Sequence, residues 1–146
     1  MDRCPCCNAR LSGAMSCPRC QADLGGVIGS EQLAQRCLEN AMEYWFADKP
    51  QLAIPALAKS IHLKQTASAL VFRDFITRQQ CRKAMALLAN RQRVEAEKLL
   101  GLLLELNPDN EFLKQLYAFT EHLLTKDIVE QATRQTLKII HDLKSR

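Results

Sequence analysis

The chain has 146 residues, 47% apolar and 25% charged, with a net charge of +4. That is enough apolar material for one ordinary domain, or for a small module plus a helical domain, and too mild a charge to dictate a nucleic-acid or other acidic partner. Met1-Asp2-Arg3-Cys4 contains no apolar signal core, and the longest apolar run, near Leu99 to Leu104, is far too short to cross a bilayer, so a cytoplasmic protein is expected.

Seven cysteines are many for this length. Five of them fall in the first 20 residues, as Cys4-Pro5-Cys6-Cys7 and Cys17-Pro18-Arg19-Cys20. In a reducing compartment, two close Cys-x-x-Cys pairs suit metal ligation better than disulfides. Zinc favours four tetrahedral thiolates, and two tight turns supply them with little loop-closure entropy. Cys4, Cys7, Cys17 and Cys20 are the expected ligands of one structural Zn2+. Cys6 is a bystander, because a Cys4/Cys6 chelate has only one intervening residue. Pro5 and Pro18 fix the start of each turn, and Asn8 tolerates a left-handed conformation after the first. Leu11 and Leu24 alone make no core, so metal would supply most of the folding energy.

The two Cys-Pro-x-Cys knuckles, Gly13-Ala14 between them and the ending Ala22-Asp23-Leu24 resemble a short zinc ribbon over residues 1–24. The resemblance implies metal binding and no particular function. Gln21 departs from the glycine usual after the second knuckle. A rubredoxin-like iron centre for electron transfer is an alternative, set back by the lack of any aromatic residue in the segment. Residues 25–30, with Gly25, Gly26 and Gly29, read as a flexible linker. Ser30 then reads as an N-cap, with Glu31 in the first helical turn.

From Glu31 onward apolar residues recur at three- and four-residue steps, the helical period. The spacing predicts about six helices: 31–47, 50–64, 67–89 with a candidate break near Thr77, 92–106, 110–124, and 126–144 capped by Thr125. Pro55 should kink the second. The fold class is therefore mainly α. An internal repeat is present: Ala41, Tyr44, Ala53, Leu57 and Ser60 recur 43 residues later as Ala84, Leu87, Ala96, Leu100 and Leu103. Small residues at matched positions let paired helices approach closely.

This pattern over 31–146, with the ending Leu106-Asn107-Pro108, resembles a tetratricopeptide-like helical-hairpin solenoid. The period is longer than the usual one of about 34 residues, which is attributed to an insertion lengthening the third helix. The third pair, Glu111 to Lys144, carries the pattern poorly and reads as a cap. The resemblance implies a partner-binding groove formed by Leu38, Met42, Trp45 and Phe46 of the first repeat and Arg78, Cys81, Met85 and Leu88 of the second. Apolar residues at this spacing also suit a core; adjacent Trp45 and Phe46 cannot both be buried by one face. The groove lacks the Lys/Asn set that clamps C-terminal carboxylates in chaperone-binding relatives.

Arg73 to Lys98 is locally basic, a candidate phosphate-facing patch for a nucleic-acid-associated regulator, although Phe72 and Phe75 read as buried rather than as stacking platforms. Cys37 and Cys81 read as small buried residues. His62, His122 and His141 fall on separate helices, with no carboxylate or cysteine at ligand spacing in the sequence, and there is no phosphate loop or nucleophile elbow. The expected function is a non-enzymatic zinc-binding adaptor or assembly subunit that binds a protein partner, with self-association as one way to cover the solenoid's ends.

Overall fold

The computed structural model describes residues 2–144, with side chains at 139, 140 and 142–144 excepted. It is mainly helical, with five helices: α1 Gly25–Phe46, α2 Pro50–Leu63, α3 Ala67–Ala89, α4 Arg93–Leu106 and α5 Glu111–Lys144. Extended pairing among the described residues is limited to two isolated bridges, Arg3 with Arg10 and Ser16 with Asp23. The chain divides into two compact units, Met1–Phe75 and Ile76–Arg146, and the boundary falls inside α3.

Three expectations need correction. Residues 25–30 are not a flexible linker but the first turn and a half of α1. Asp23 Oδ1 accepts the Gly25 N–H at 2.9 Å, which starts the helix six residues before the sequence signals suggest. Ser30 consequently lies inside the helix, its Oγ donating to Val27 O at 2.8 Å. The expected helices 110–124 and 126–144 are one helix, so five replace six. Thr125 does not cap; its Oγ1 donates to Glu121 O, the back-bond of a threonine inside a helix. Finally, α3 runs unbroken through Thr77. Pro55 lies inside α2, as expected, and is exposed.

The repeat is visible in the backbone. Helices α1 and α3 end at Phe46 and Ala89, α2 and α4 begin at Pro50 and Arg93, and these two end at Leu63 and Leu106. Each pair of boundaries is 43 residues apart. The turns match bond for bond. Ala47, Asp48 and Lys49 N–H groups donate to Glu43, Trp45 and Tyr44; Asn90, Arg91 and Gln92 donate to Ala86, Leu88 and Leu87. Asp48 and Arg91 both take left-handed φ, 53° and 61°. The long period therefore comes from first helices that are long in both repeats, α1 with 22 residues and α3 with 23, not from an insertion in α3 alone.

In the first unit, α1 packs along α2. Ala41 and Ala53 are fully buried, which lets the axes close, and Leu57 and Ile54 fill the space beside them. Buried Ser60 donates from Oγ to Ala34 O at 2.8 Å, so its hydroxyl is satisfied. Lys64 Nζ pairs with Glu31 at 2.7 Å at the rim, holding the Glu31 carboxyl below its usual range. Trp45 meets Phe72 and Phe75 edge-on, with centroids 6.4 and 5.9 Å away. Phe72 is half-buried and Phe75 45% exposed, neither buried as expected, although the two rings also stack on each other with centroids 6.3 Å apart.

In the second unit, α4 packs along α5, and Ala84, Ala96, Leu100, Leu103 and Leu113 are fully buried. Asn107 Nδ2 donates to Thr77 Oγ1 at 2.7 Å, tying the end of α4 to α3. Arg93 ties the start of α4 to α5: Nη1 donates to Leu123 O at 2.7 Å and the guanidinium pairs with Asp127.

Candidate metal centre

Two copies of one backbone device build the site. In the first, Cys4 N–H donates to Ala9 O and Asn8 N–H to Cys4 O, at 2.8 and 2.9 Å. In the second, Cys17 N–H donates to Ala22 O and Gln21 N–H to Cys17 O, at 2.9 and 2.8 Å. The outer bonds repeat as well, Leu11 N–H to Asp2 O and Leu24 N–H to Met15 O. Every member of the second set lies 13 residues after its counterpart. Asn8 and Gln21 take φ of 58° and 57°, so glutamine accepts the left-handed position without the usual glycine. This duplication was open to sequence reading as Leu11/Leu24, Ala9/Ala22 and the two Pro positions.

The fold brings the Sγ atoms of Cys4, Cys7, Cys17 and Cys20 within 4.8 Å of one another. Cys4 lies 3.7 Å from Cys20 and Cys7 lies 3.5 Å from Cys17, both across the two knuckles. A tetrahedral site with metal–sulfur bonds of about 2.3 Å needs sulfur–sulfur edges of about 3.8 Å, so the donor set fits a single tetrathiolate ion. The distances suit zinc and iron equally. Cys6 is exposed and stands outside this set. Cys6→Ser should therefore retain one metal per chain with unchanged affinity, read by chelator competition.

The ligands differ in acidity. Cys17 is drawn down to about 6 by the Cys20 N–H, against the cost of burial and with help from the Arg19 N–H. The Cys7 N–H lowers Cys4 in the same way. At Cys20 the Ala22 N–H favours the thiolate, but the Cys7 sulfur, desolvation and the Cys17 and Cys4 sulfurs outweigh it and push the thiol up to about 12. Four like charges at this spacing do not coexist without a cation. Metal binding at neutral pH should release protons, and affinity should fall as the medium is acidified through pH 6, where Cys17 also becomes protonated. Titration calorimetry in buffers of different ionisation enthalpy counts those protons.

The ribbon core extends into the helix. Cys4, Cys17 and Leu24 are buried together, and Cys7, Ala9, Leu11, Ala22 and Ile28 pack against them. Ile28 belongs to the second turn of α1, so the knuckles and the helix share one small core. The sequence reading missed Ile28 because it assigned that residue to a linker.

The expected groove residues are placed as follows. Leu38 is buried, Met42 and Trp45 are half-buried, and Phe46 is 85% exposed. In the second unit Arg78 is exposed, Cys81 and Leu88 are half-buried, and Met85 is 54% exposed. Leu38 lines a cavity of about 270 Å³ with Gln35, Ala34 and Ser60, rimmed by Glu31 and Lys64. Of the basic run, Arg73 pairs with Asp74 and Arg93 with Asp127, while Arg78, Arg82, Lys83, Arg91 and Lys98 are exposed. Cys37 is buried as expected; Cys81 is only half so. His62, His122 and His141 are exposed.

Comparisons with protein-family models, with curated proteins and with solved structures find no match to this chain. What is established is a helical protein with a four-cysteine cluster that could hold a metal ion. No helix among the described residues is long and apolar enough to cross a membrane.

Proposed function

We propose that this is a non-enzymatic, zinc-binding adaptor or assembly subunit of the cytoplasm. A zinc-ribbon-like element sits ahead of tetratricopeptide-like helical hairpins, and both serve to hold a protein partner. The observation that carries the reading is the donor set itself. Four thiolates from two equivalent knuckles complete a tetrahedron and leave no ligand position for a substrate, the mark of a structural ion. Zinc is preferred to iron because the ribbon core contains no aromatic shield and Cys20 is exposed. The cavity beside Leu38 supports partner binding: it sets apolar Ala34 and Leu38 among the polar groups of Gln32, Gln35, Ser60 and Thr66, and the Glu31–Lys64 pair at its rim can orient a backbone.

The test is a native isolation of tagged protein from the source cells, with and without nuclease, beside metal analysis. One zinc per chain and a stoichiometric protein that survives nuclease, but is lost from the Phe46→Ser/Met85→Ser variant, are expected. Nucleic acid as the sole companion, or iron in the site, would overturn the reading.

A further inference from the structure

In the second unit a cleft of about 230 Å³ opens between the α3–α4 turn and α5. Arg91 lines it from the turn and Arg93 from the start of α4; Asp127, Glu130, Gln131 and Arg134 line it from α5. The four α5 residues recur at three- and four-residue steps, so they share one face of that helix. No apolar residue lines the cleft, so charge and hydrogen bonding decide what fits there.

The three guanidinium groups are not used alike. Arg93 is engaged: it donates to Leu123 O and pairs with Asp127, although its Nε is buried without an acceptor. Arg134 reaches only Glu130, 3.9 Å away and at the limit of an ion pair, and both side chains are more than half exposed. The Arg91 side chain has no hydrogen-bond or ion-pair partner among the described residues. Arg91 stands where the first repeat has Asp48, and it keeps the same left-handed backbone, φ 61° against 53°. Aspartate takes that conformation more readily than arginine. The second turn therefore holds a cation at a backbone cost, and nothing in the chain neutralises it.

Setting Asp127 against Arg93 and Glu130 against Arg134 leaves Arg91 as a surplus positive charge. A singly charged oxyanion balances it. A phosphate monoester, with about 1.5–2 negative charges, would exceed it and would face both carboxylates. A guanidinium receives a carboxylate by two parallel hydrogen bonds. The cleft is also smaller than the ~300–1,000 Å³ of sites that enclose a whole small molecule, so it suits one group carried by something larger.

We infer that this cleft binds a carboxylate, one Asp or Glu side chain of an acidic polypeptide, with Arg91 as the principal contact and Arg134 beside it. That the polypeptide belongs to a partner rests on the adaptor reading; the charge and size of the group do not.

Nuclear magnetic resonance titration of the full-length, metal-loaded protein with a hexaglutamate peptide, at constant ionic strength, tests it. The arginine Nε–H signals of Arg91 and Arg134 should shift and saturate, and Arg91→Gln should weaken binding at least about fivefold. Arg82→Gln removes the same charge from an exposed position of α3 outside the cleft, and should change affinity less than about twofold. Arg91 is exposed, so circular dichroism of its variant should match the parent. No saturable shift, or equal losses from the two substitutions, overturns the inference, the second by reducing the binding to net charge. Inorganic phosphate that occupies the cleft more tightly than the peptide overturns it as well. The titration uses purified protein, so failure to recover a partner from cells would count against the adaptor reading alone.

Discussion

Replacing Cys17 with Ser should abolish stoichiometric metal binding and unfold the knuckles while most of the helical signal remains. Cys17 is 1% exposed and sits in the ribbon core beside Cys4 and Leu24. A serine hydroxyl there is a poor fourth ligand. The loss in affinity should exceed the ~10–100-fold that removal of an outer partner costs. Without the ion the ribbon has Leu11, Leu24 and Ile28 as its aliphatic core, too little to offset chain entropy. The helices α1 and α2 keep their own core around Ala41, Ala53 and Leu57. The damage should stop near Ser30. Gly25, Gly26 and Gly29 each cost a helix about 0.8–1 kcal/mol relative to alanine. That first stretch of α1 depends on the Asp23 cap and on Ile28 against the knuckles, both of which go with the metal. Metal analysis and far-ultraviolet circular dichroism decide it: a small loss of helix is expected, and a general melting would show that the hairpin depends on the ion.

Leu57→Ala should destabilise the first unit by about 3 kcal/mol, within the ~2–5 kcal/mol range for deleting a buried leucine. Leu57 is fully buried on α2, beside Ala53 and facing α1. Its neighbours have little freedom to collapse into the gap. The helices already approach as closely as fully buried Ala41 and Ala53 allow, and the Ser60 bond to Ala34 fixes their registry. The cavity should persist, which places the cost above the lower end of the range. Urea unfolding followed at Trp45, on the same hairpin, reads the change; a shift under ~1 kcal/mol would mean that the hairpin closes over the gap.

The parts legible in the sequence were those set by local chemistry. Cys-Pro-x-Cys spacing names its ligands whatever surrounds it, and the four sulfurs lie together. Asn107-Pro108 and Asp48-Lys49-Pro50 stop helices by themselves, and those boundaries fall within a residue of expectation. The repeat was legible because small residues at Ala41, Ala53, Ala84 and Ala96 mark helix contacts that leave no room for substitution. The start of α1 was not legible. Three glycines argue for a linker, and only the capping Asp23 and the ribbon core reverse that preference, a tertiary effect. The joining of the last two helices was hidden too: residues 124–126 contain neither Gly nor Pro, and Thr125 serves as well inside a helix as at its cap. Phe75 looked buried because phenylalanine usually is; Trp45 and Phe72 contact its ring and still leave it 45% exposed.

Because Ile28 and Leu24 belong to the ribbon and the helix at once, the knuckles do not swing on a tether; they are the end of α1. A partner that touched both the ribbon and the cavity beside Leu38 would meet two contact points at a fixed spacing. The orientational entropy of docking would then be spent once for both contacts. A flexible linker would leave the second contact to an effective concentration set by linker length, typically millimolar for a short flexible one. The rigid junction makes the spacing itself a criterion of recognition: a partner with the right two surfaces at the wrong separation gains only one of them.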